Sequence, residues 1–212
     1  EWLTGFESSN GTNGTAVVTA DNALVWTDSR YFLQAEEQLQ GTGFRMMKED
    51  GPDAVDLVDW LTEHTHTGQT VGIDGMTFSI SFAQRIQQQL ADNGVKLDTD
   101  FPQFDYIYPD RPERPKNRLF VHDENIVGES VDSKATRILE AVKSELANAV
   151  MLSALDDIAW ATNLRTSGDI TYSPIFVSYL YLDESGRRVL FVDADKLTPE
   201  VTAHLDKYHI EV

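Results

Sequence analysis

Two hydrophobic periods alternate along the first hundred residues. Residues 15–19 and 24–27 are short apolar runs around the turn pair Asp21-Asn22, which predicts a hairpin. Asp28-Ser29 then supplies a helix N-cap, and helical spacing continues to about Gln40, where Gly41 and Gly43 end it. Residues 44–47 predict a strand. Asp53 is the expected cap of a helix through Val55, Leu57, Val58 and Leu61. A short strand follows at 71–73, and Ser79 opens a helix with Ala83, Ile86 and Leu90 on one face.

The second hundred residues repeat this alternation. A strand is expected at 119–121. A helix follows from about Asp132, with Ala135, Ile138, Leu139, Val142 and Leu146 at helical spacing. Residues 149–152 form a strand and 155–161 a short helix. Residues 175–182 and 189–192 form a hairpin around Glu184-Ser185-Gly186. Thr198-Pro199 starts a helix with proline at its favoured first position, and 210–212 is a closing strand.

Between the halves, Pro102, Pro109, Pro112 and Pro115 interrupt any regular element, because proline lacks a backbone donor and biases its predecessor away from helix. This linker divides the chain into modules at 1–108 and 109–212. The modules match each other. Trp2-Leu3-Thr4-Gly5-Phe6 lies beside Trp160-Ala161-Thr162-Asn163-Leu164, and each is followed by a polar loop and a hairpin ending in an aspartate, Asp28 or Asp193. From those aspartates the pattern runs in parallel to Met47 and to Val212. Such self-similarity indicates a duplicated α/β unit. In the second module a helix and a strand precede the tryptophan, so the first module is expected to lack its first helix and strand. The second stops before the later helices of the first. The sequence thus reads as part of a longer chain.

Composition narrows the partners. The 212 residues carry 35 acidic against 17 basic side chains, a formal charge of −18, which disfavours nucleic acid and anionic membrane surfaces. No cysteine is present, which removes disulfides, thiolate catalysis and cysteine-ligated zinc. No apolar run has membrane-spanning length. The tandem sequons at Asn10 and Asn13 fit turn chemistry better than glycan attachment.

No catalytic or metal constellation can be assembled from these residues. His64 and His66 are two apart and do not share a helix face; His122, His204 and His209 complete no ligand motif, and all five read as solvated surface histidines. Adjacent Asp156 and Asp157 point in different directions and suit a helix N-terminus, and Asp193 and Asp195 read as caps. No phosphate-binding loop or nucleophile motif occurs. One run stands out: Trp26-Thr27-Asp28-Ser29-Arg30-Tyr31-Phe32 places an arginine and two aromatics behind an aspartate cap. Its aromatics can pack on the sheet, or Arg30 can face a carboxylate on a ligand or partner.

That run, with residues 1–6 and 14–19, resembles Xaa-Pro aminopeptidases of the long, three-domain type. Asp110-Arg111-Pro112, Gly128-Glu129-Ser130 with Lys134, residues 154–160, Asn163-Leu164-Arg165 and residues 169–174 look like that family's second domain. The resemblance implies two creatinase N-terminal, ribonuclease H-like modules, each a mixed sheet flanked by helices. In such enzymes a third, pita-bread domain holds two divalent metals, manganese by expectation, and removes an N-terminal residue preceding proline. None of this chain's carboxylates carries over as a metal ligand.

By the resemblance the chain is a non-catalytic region serving assembly and substrate access in a cytoplasmic homodimer acting on peptides. Phe6, Arg30 and Tyr31 are its candidate substrate-rim or partner contacts. The alternative is a peptide- or protein-binding module of a pita-bread protein without peptidase activity. Two departures bear on the rim: the loop 7–13 is longer than the family's, and residues 165–169 carry one extra residue.

Overall fold

The computed structural model describes residues 2–7, 13–101 and 106–212. The chain divides into two compact units, Glu1–Pro112 and Glu113–Val212.

In unit 1, β1 (Thr15–Val18) and β2 (Ala23–Thr27) form an antiparallel hairpin, Thr15 opposite Trp26 and Val18 opposite Ala23. A single 3₁₀ turn, Ser29–Tyr31, leads into α1 (Phe32–Gln38), which returns the chain to β3 (Arg45–Lys48), parallel to β2. Because strand side chains alternate, β2 serves two cores. Leu24 and Trp26 face α2 (Leu57–His64) and α3 (Ile80–Asp92), packing with Val58, Trp60, Leu61, Ile86 and Leu90. Val25 faces α1 and joins Phe6, Ala35 and Leu39. A second, two-stranded parallel sheet pairs β4 (Thr70–Gly72) with β5 (Lys96–Asp98). A Cβ on Gly72 would sit 2.5 Å from the Phe101 ring, which would have to shift to admit it.

The cap of α2 is Asp56, and not Asp53 as the pattern suggests: Asp56 Oδ1 accepts from Val58 N at 2.8 Å and Asp59 N at 3.1 Å. The preceding backbone is already committed, since Val55 N donates to Lys48 O and Val55 O accepts from Trp26 Nε1 at 2.8 Å. Asp53 instead lies 3.6 Å from Lys48 Nζ. β5 was not expected, because Lys96-Leu97-Asp98 carries one apolar residue and no alternation to read.

In unit 2, β6 (Leu119–Val121) pairs antiparallel with β8 (Leu164–Thr166). A short helix, α4 (Glu124–Val127), precedes α5 (Val131–Ser144), which is capped by Ser130. Then come β7 (Ala149–Leu152), α6 (Leu155–Thr162), the hairpin β9 (Tyr179–Asp183) and β10 (Arg188–Phe191), α7 (Pro199–Lys207) and β11 (Ile210–Glu211). The sheet order is β11-β10-β9-β7. Its inner face buries Leu180, Leu182 and Leu190 against Ile158, Val201 and Leu205.

The strand expected at 175–182 begins only at Tyr179. Pro174 O accepts from Thr166 N at the end of β8, and Val177 N donates to Asp169 Oδ2 in the loop after it, so the ladder to β10 starts only at Tyr179. Phe176 is nevertheless fully buried, which is why the run looked strand-like. α4 and β8 also escaped the pattern, each being too short to show a period.

The duplication is visible in the backbone. Both units build an antiparallel hairpin followed by a 3₁₀ turn, a helix and a parallel third strand. Trp26 opposite Thr15 corresponds to Phe191 opposite Tyr179. Thr4-Gly5-Phe6 corresponds to Thr162-Asn163-Leu164: Gly5 and Asn163 are both left-handed, at φ 72° and 53°, and their neighbours are buried. The third strands differ by one residue from the sequence alignment. Leu24 pairs with Arg45 and its counterpart Val189 with Glu211, so Val212 corresponds to Met46 and not Met47.

Candidate functional site

The run 26–32 is built by the end of β2 delivering Asp28 to the 3₁₀ turn. Asp28 Oδ1 accepts from Arg30 N at 3.1 Å, which is the expected cap. The same carboxylate takes Arg30 in a fork, Nε to Oδ1 at 2.8 Å and Nη2 to Oδ2 at 2.7 Å. The guanidinium holds the Asp28 carboxyl well below the usual carboxylate range, and the Asp28 charge raises Arg30 in return.

Asn13 bridges the cluster, its Nδ2 lying 2.9 Å from Asp28 Oδ2 and 3.1 Å from Glu49 Oε2. Burial pushes the Glu49 carboxyl up, and the neighbouring charge of Asp28 adds to it. Ser29 binds Asp50 through both N and Oγ. Glu49 was not singled out in the sequence, and Asn13 only as a sequon read as turn chemistry; no local pattern marks either for this cluster, since they meet across 36 residues.

The three sequence candidates are adjacent. Phe6 is 3% exposed, in the core beside α1, with its ring edge-on to Tyr31 at 6.3 Å. Arg30 lies over the Tyr31 ring at 5.1 Å and its side chain is 70% exposed. Phe6 therefore supports Tyr31 from below and Arg30 is the outermost of the three. The longer loop 7–13 falls mostly outside the described residues, as does Asn10.

Unit 2 carries two buried cations. Lys134, 2% exposed, donates to Asn163 Oδ1 at 2.6 Å and Trp160 O at 2.9 Å, with the Trp160 ring at 4.9 Å. Burial lowers the pKa of this ammonium. Asn163 Nδ2 donates in turn to Glu129 O, so the residues quoted from the second-domain motifs converge on one clamp joining α5 to the end of α6. Lys196 forms a buried ion pair with Asp169 at 2.6 Å, side chains 2% and 0% exposed, and also donates to Pro115 O at 2.6 Å. Lys196 was not flagged: a lysine after a cap gives no local sign of burial.

His64, His66 and His209 are exposed, as expected, whereas His122 and His204 are half-buried. His64 stacks on Trp60 at 4.0 Å, and its Nδ1 lies 2.9 Å from Trp60 O. His204 Nε2 reaches Thr162 O at 2.8 Å on a half-buried face of α7. Among the described residues no three His, Asp or Glu side chains come together in a metal-binding group. Nor does any helix among them have the length and apolarity to cross a membrane. The charged groups of the Asp28, Lys134 and Lys196 clusters are engaged with one another and with backbone groups, an arrangement that positions elements.

Residues 1–104 and 110–212 each match a family described as the creatinase/prolidase N-terminal domain. Both halves belong to that family. Creatinase N-terminal domains thus account for nearly the whole chain. Relatives include a probable Xaa-Pro aminopeptidase P of Aspergillus flavus, 36% identical over 97% of this chain and 31% of its own length. Aminopeptidase P2 of Arabidopsis thaliana is 36% identical over 100% of this chain and 29% of its own. The crystal structure of X-prolyl aminopeptidase from Caenorhabditis elegans, described as a cytosolic enzyme with a di-nuclear active site, superposes with a TM-score of 0.89 at 31% identity, covering 99% of this chain and 34% of that one. The chain spans about a third of the length of these relatives.

Proposed function

We propose that the chain is the non-catalytic N-terminal region of a metal-dependent Xaa-Pro aminopeptidase, and that its two creatinase N-terminal modules serve assembly and shape substrate access. The observation that carries this reading is the likeness of the whole chain to a single third of the Caenorhabditis elegans enzyme. Two divalent metals, manganese in this reading, would supply Lewis-acid chemistry in a separate catalytic domain. The described carboxylates and histidines do not fit that role, being dispersed or engaged as caps and ion pairs. Peptide substrates, a homodimer and a cytoplasmic setting belong to the same proposal.

Within it, Arg30 and Tyr31, braced by Phe6, are the contact surface toward substrate or a neighbouring subunit. The test is an assay of this chain alone on an X-Pro peptide with manganese. No turnover is expected, and robust turnover overturns the reading.

A further inference from the structure

Three asparagines in the chain precede a glycine: Asn10, Asn13 and Asn93. An Asn-Gly pair can react with itself. The glycine nitrogen attacks the side-chain amide carbon, and the missing Cβ leaves that nitrogen uncrowded and its peptide free to turn. Asn10-Gly11 lies outside the described residues. The other two pairs are held in opposite ways.

At Asn93 both reacting groups are tied down. Gly94 N donates to Ala91 O at 2.9 Å after the last turn of α3, and Gly94 sits in the left-handed region at φ 70°. Asn93 Nδ2 donates to Thr62 O at 2.9 Å. At Asn13 the attacking nitrogen is turned away from its neighbours. Thr19 N donates to Asn22 O, so by the alternation of an antiparallel ladder Thr15 and Val17 aim their backbone groups at β2, and Gly14 aims its N–H the other way. Thr27 Oγ1 donates to Asn13 O at 2.5 Å, and in a trans peptide this also keeps the Gly14 N–H outward. Among the described residues Gly14 N donates to no acceptor. The side chain of Asn13 is gripped through Nδ2, the atom that leaves, with Asp28 Oδ2 at 2.9 Å and Glu49 Oε2 at 3.1 Å. Asn13 is exposed, so water reaches it.

We propose that Asn13 is a self-modifying site, which the chain's own backbone converts from a hydrogen-bond donor into a carboxylate at the base of the Arg30–Tyr31 surface. Gly14 N forms a bond to Asn13 Cγ and gives up its proton. The Cγ–Nδ2 bond breaks, and ammonia carries that proton away. Water then adds to one carbonyl of the five-membered imide and opens it, to an aspartyl or an isoaspartyl residue. The product reverses the local electrostatics: an acceptor-only group replaces the donor between Asp28 and Glu49. Glu49, already raised by burial and by Asp28, rises further. The isoaspartyl form also carries an extra backbone atom just ahead of β1, which offsets the pairing of Thr15 with Trp26. The inference is independent of the proposed activity.

The test ages the intact chain in neutral buffer and sequences its proteolytic peptides by mass spectrometry, reading the gain of one mass unit at each asparagine. Asn13 is expected to convert at least about tenfold faster than Asn93, whose Gly94 N–H must first open locally. In urea that unfolds the chain the two rates should converge, since only the fold distinguishes them. Gly14→Ala, which crowds the attacking nitrogen, is expected to slow Asn13 by about tenfold and to leave Asn93 unchanged. Its Cβ would lie 3.3 Å from Phe6 Cε1, so hydrogen exchange in β2 reports whether unit 1 stays folded. Asn13 converting no faster than Asn93 in the folded chain overturns the proposal. So does a preference that persists in urea, or an Asn13 rate that Gly14→Ala leaves unchanged. Asn13→Asp, the product made directly, is expected to raise the Glu49 pKa by carbon-detected NMR, and an unchanged Glu49 titration overturns the electrostatic consequence.

Discussion

Replacing Lys196 with methionine removes one half of an ion pair that solvent does not reach. Methionine keeps the length and apolar stem of the side chain, so the change removes only the charge and the hydrogen bonds of the ammonium, the one to Pro115 O included. In the wild type Asp169 accepts from Lys196 Nζ at 2.6 Å, Asn117 Nδ2 at 3.3 Å and Val177 N at 3.4 Å. After the change only the two long hydrogen bonds remain to a carboxylate whose side chain is 0% exposed. Stranding one member of a buried pair costs about 3–5 kcal/mol. For a unit of this size that shifts its melting midpoint by on the order of 15 °C or more. Lys196→Met with Asp169→Leu strands no charge and should recover most of the loss. The assay is urea unfolding of the full chain, with hydrogen exchange in β9 and β10 assigning the change to unit 2. The reasoning is refuted if Lys196→Met costs less than about 1 kcal/mol, or if the double variant is no more stable than the single one.

Asn163 separates backbone from side chain. Asn163→Gly keeps the left-handed conformation but strips Lys134 of an acceptor, costing about 1–3 kcal/mol by thermal unfolding; Asn163→Ala should cost about 1 kcal/mol more, from the positive φ. Lys134 has its pKa lowered by burial, so the unfolded chain holds this proton more tightly than the folded one. Stability relative to Lys134→Met should rise with pH between the lowered folded value and the ordinary 10.5, and a flat difference would contradict the assignment. At the unit 1 cluster, Asp28 should titrate well below its ordinary 3.8 by carbon-detected NMR, and Arg30→Gln should bring it back up. The contribution of that pair is present above pH 3.8 and lost as pH falls toward the lowered value. In the same spectra Asp28→Asn should lower the raised Glu49 pKa, because one of its causes is the Asp28 charge.

Much of this protein is legible in residue order. Hairpins, helix starts and the proline-rich divide follow from local rules: alternation of side chains on a strand, caps that satisfy free N–H groups, and proline's missing donor. Ser79 and Thr198 cap the helices they were expected to open, and Ser130, not foreseen as a cap, does the same for α5, each accepting from the backbone N–H three residues on. The duplication could also be read, since a repeated unit repeats its side-chain pattern. What local rules could not supply were choices made by distant partners. Asp56 displaced Asp53 as a cap because Trp26, 29 residues before Val55, holds the Val55 carbonyl. Residues 175–178 look like strand, but Asp169 holds the Val177 N–H and Thr166 holds the Pro174 carbonyl just ahead of them. The buried charges of Lys134 and Lys196 depend on partners 26 to 81 residues away. The same holds for the open edge of β1. Its sequence is that of an ordinary strand, and only the sheet order, set beside the filled edge of β9, shows that no strand among the described residues pairs with its outer N–H and C=O groups.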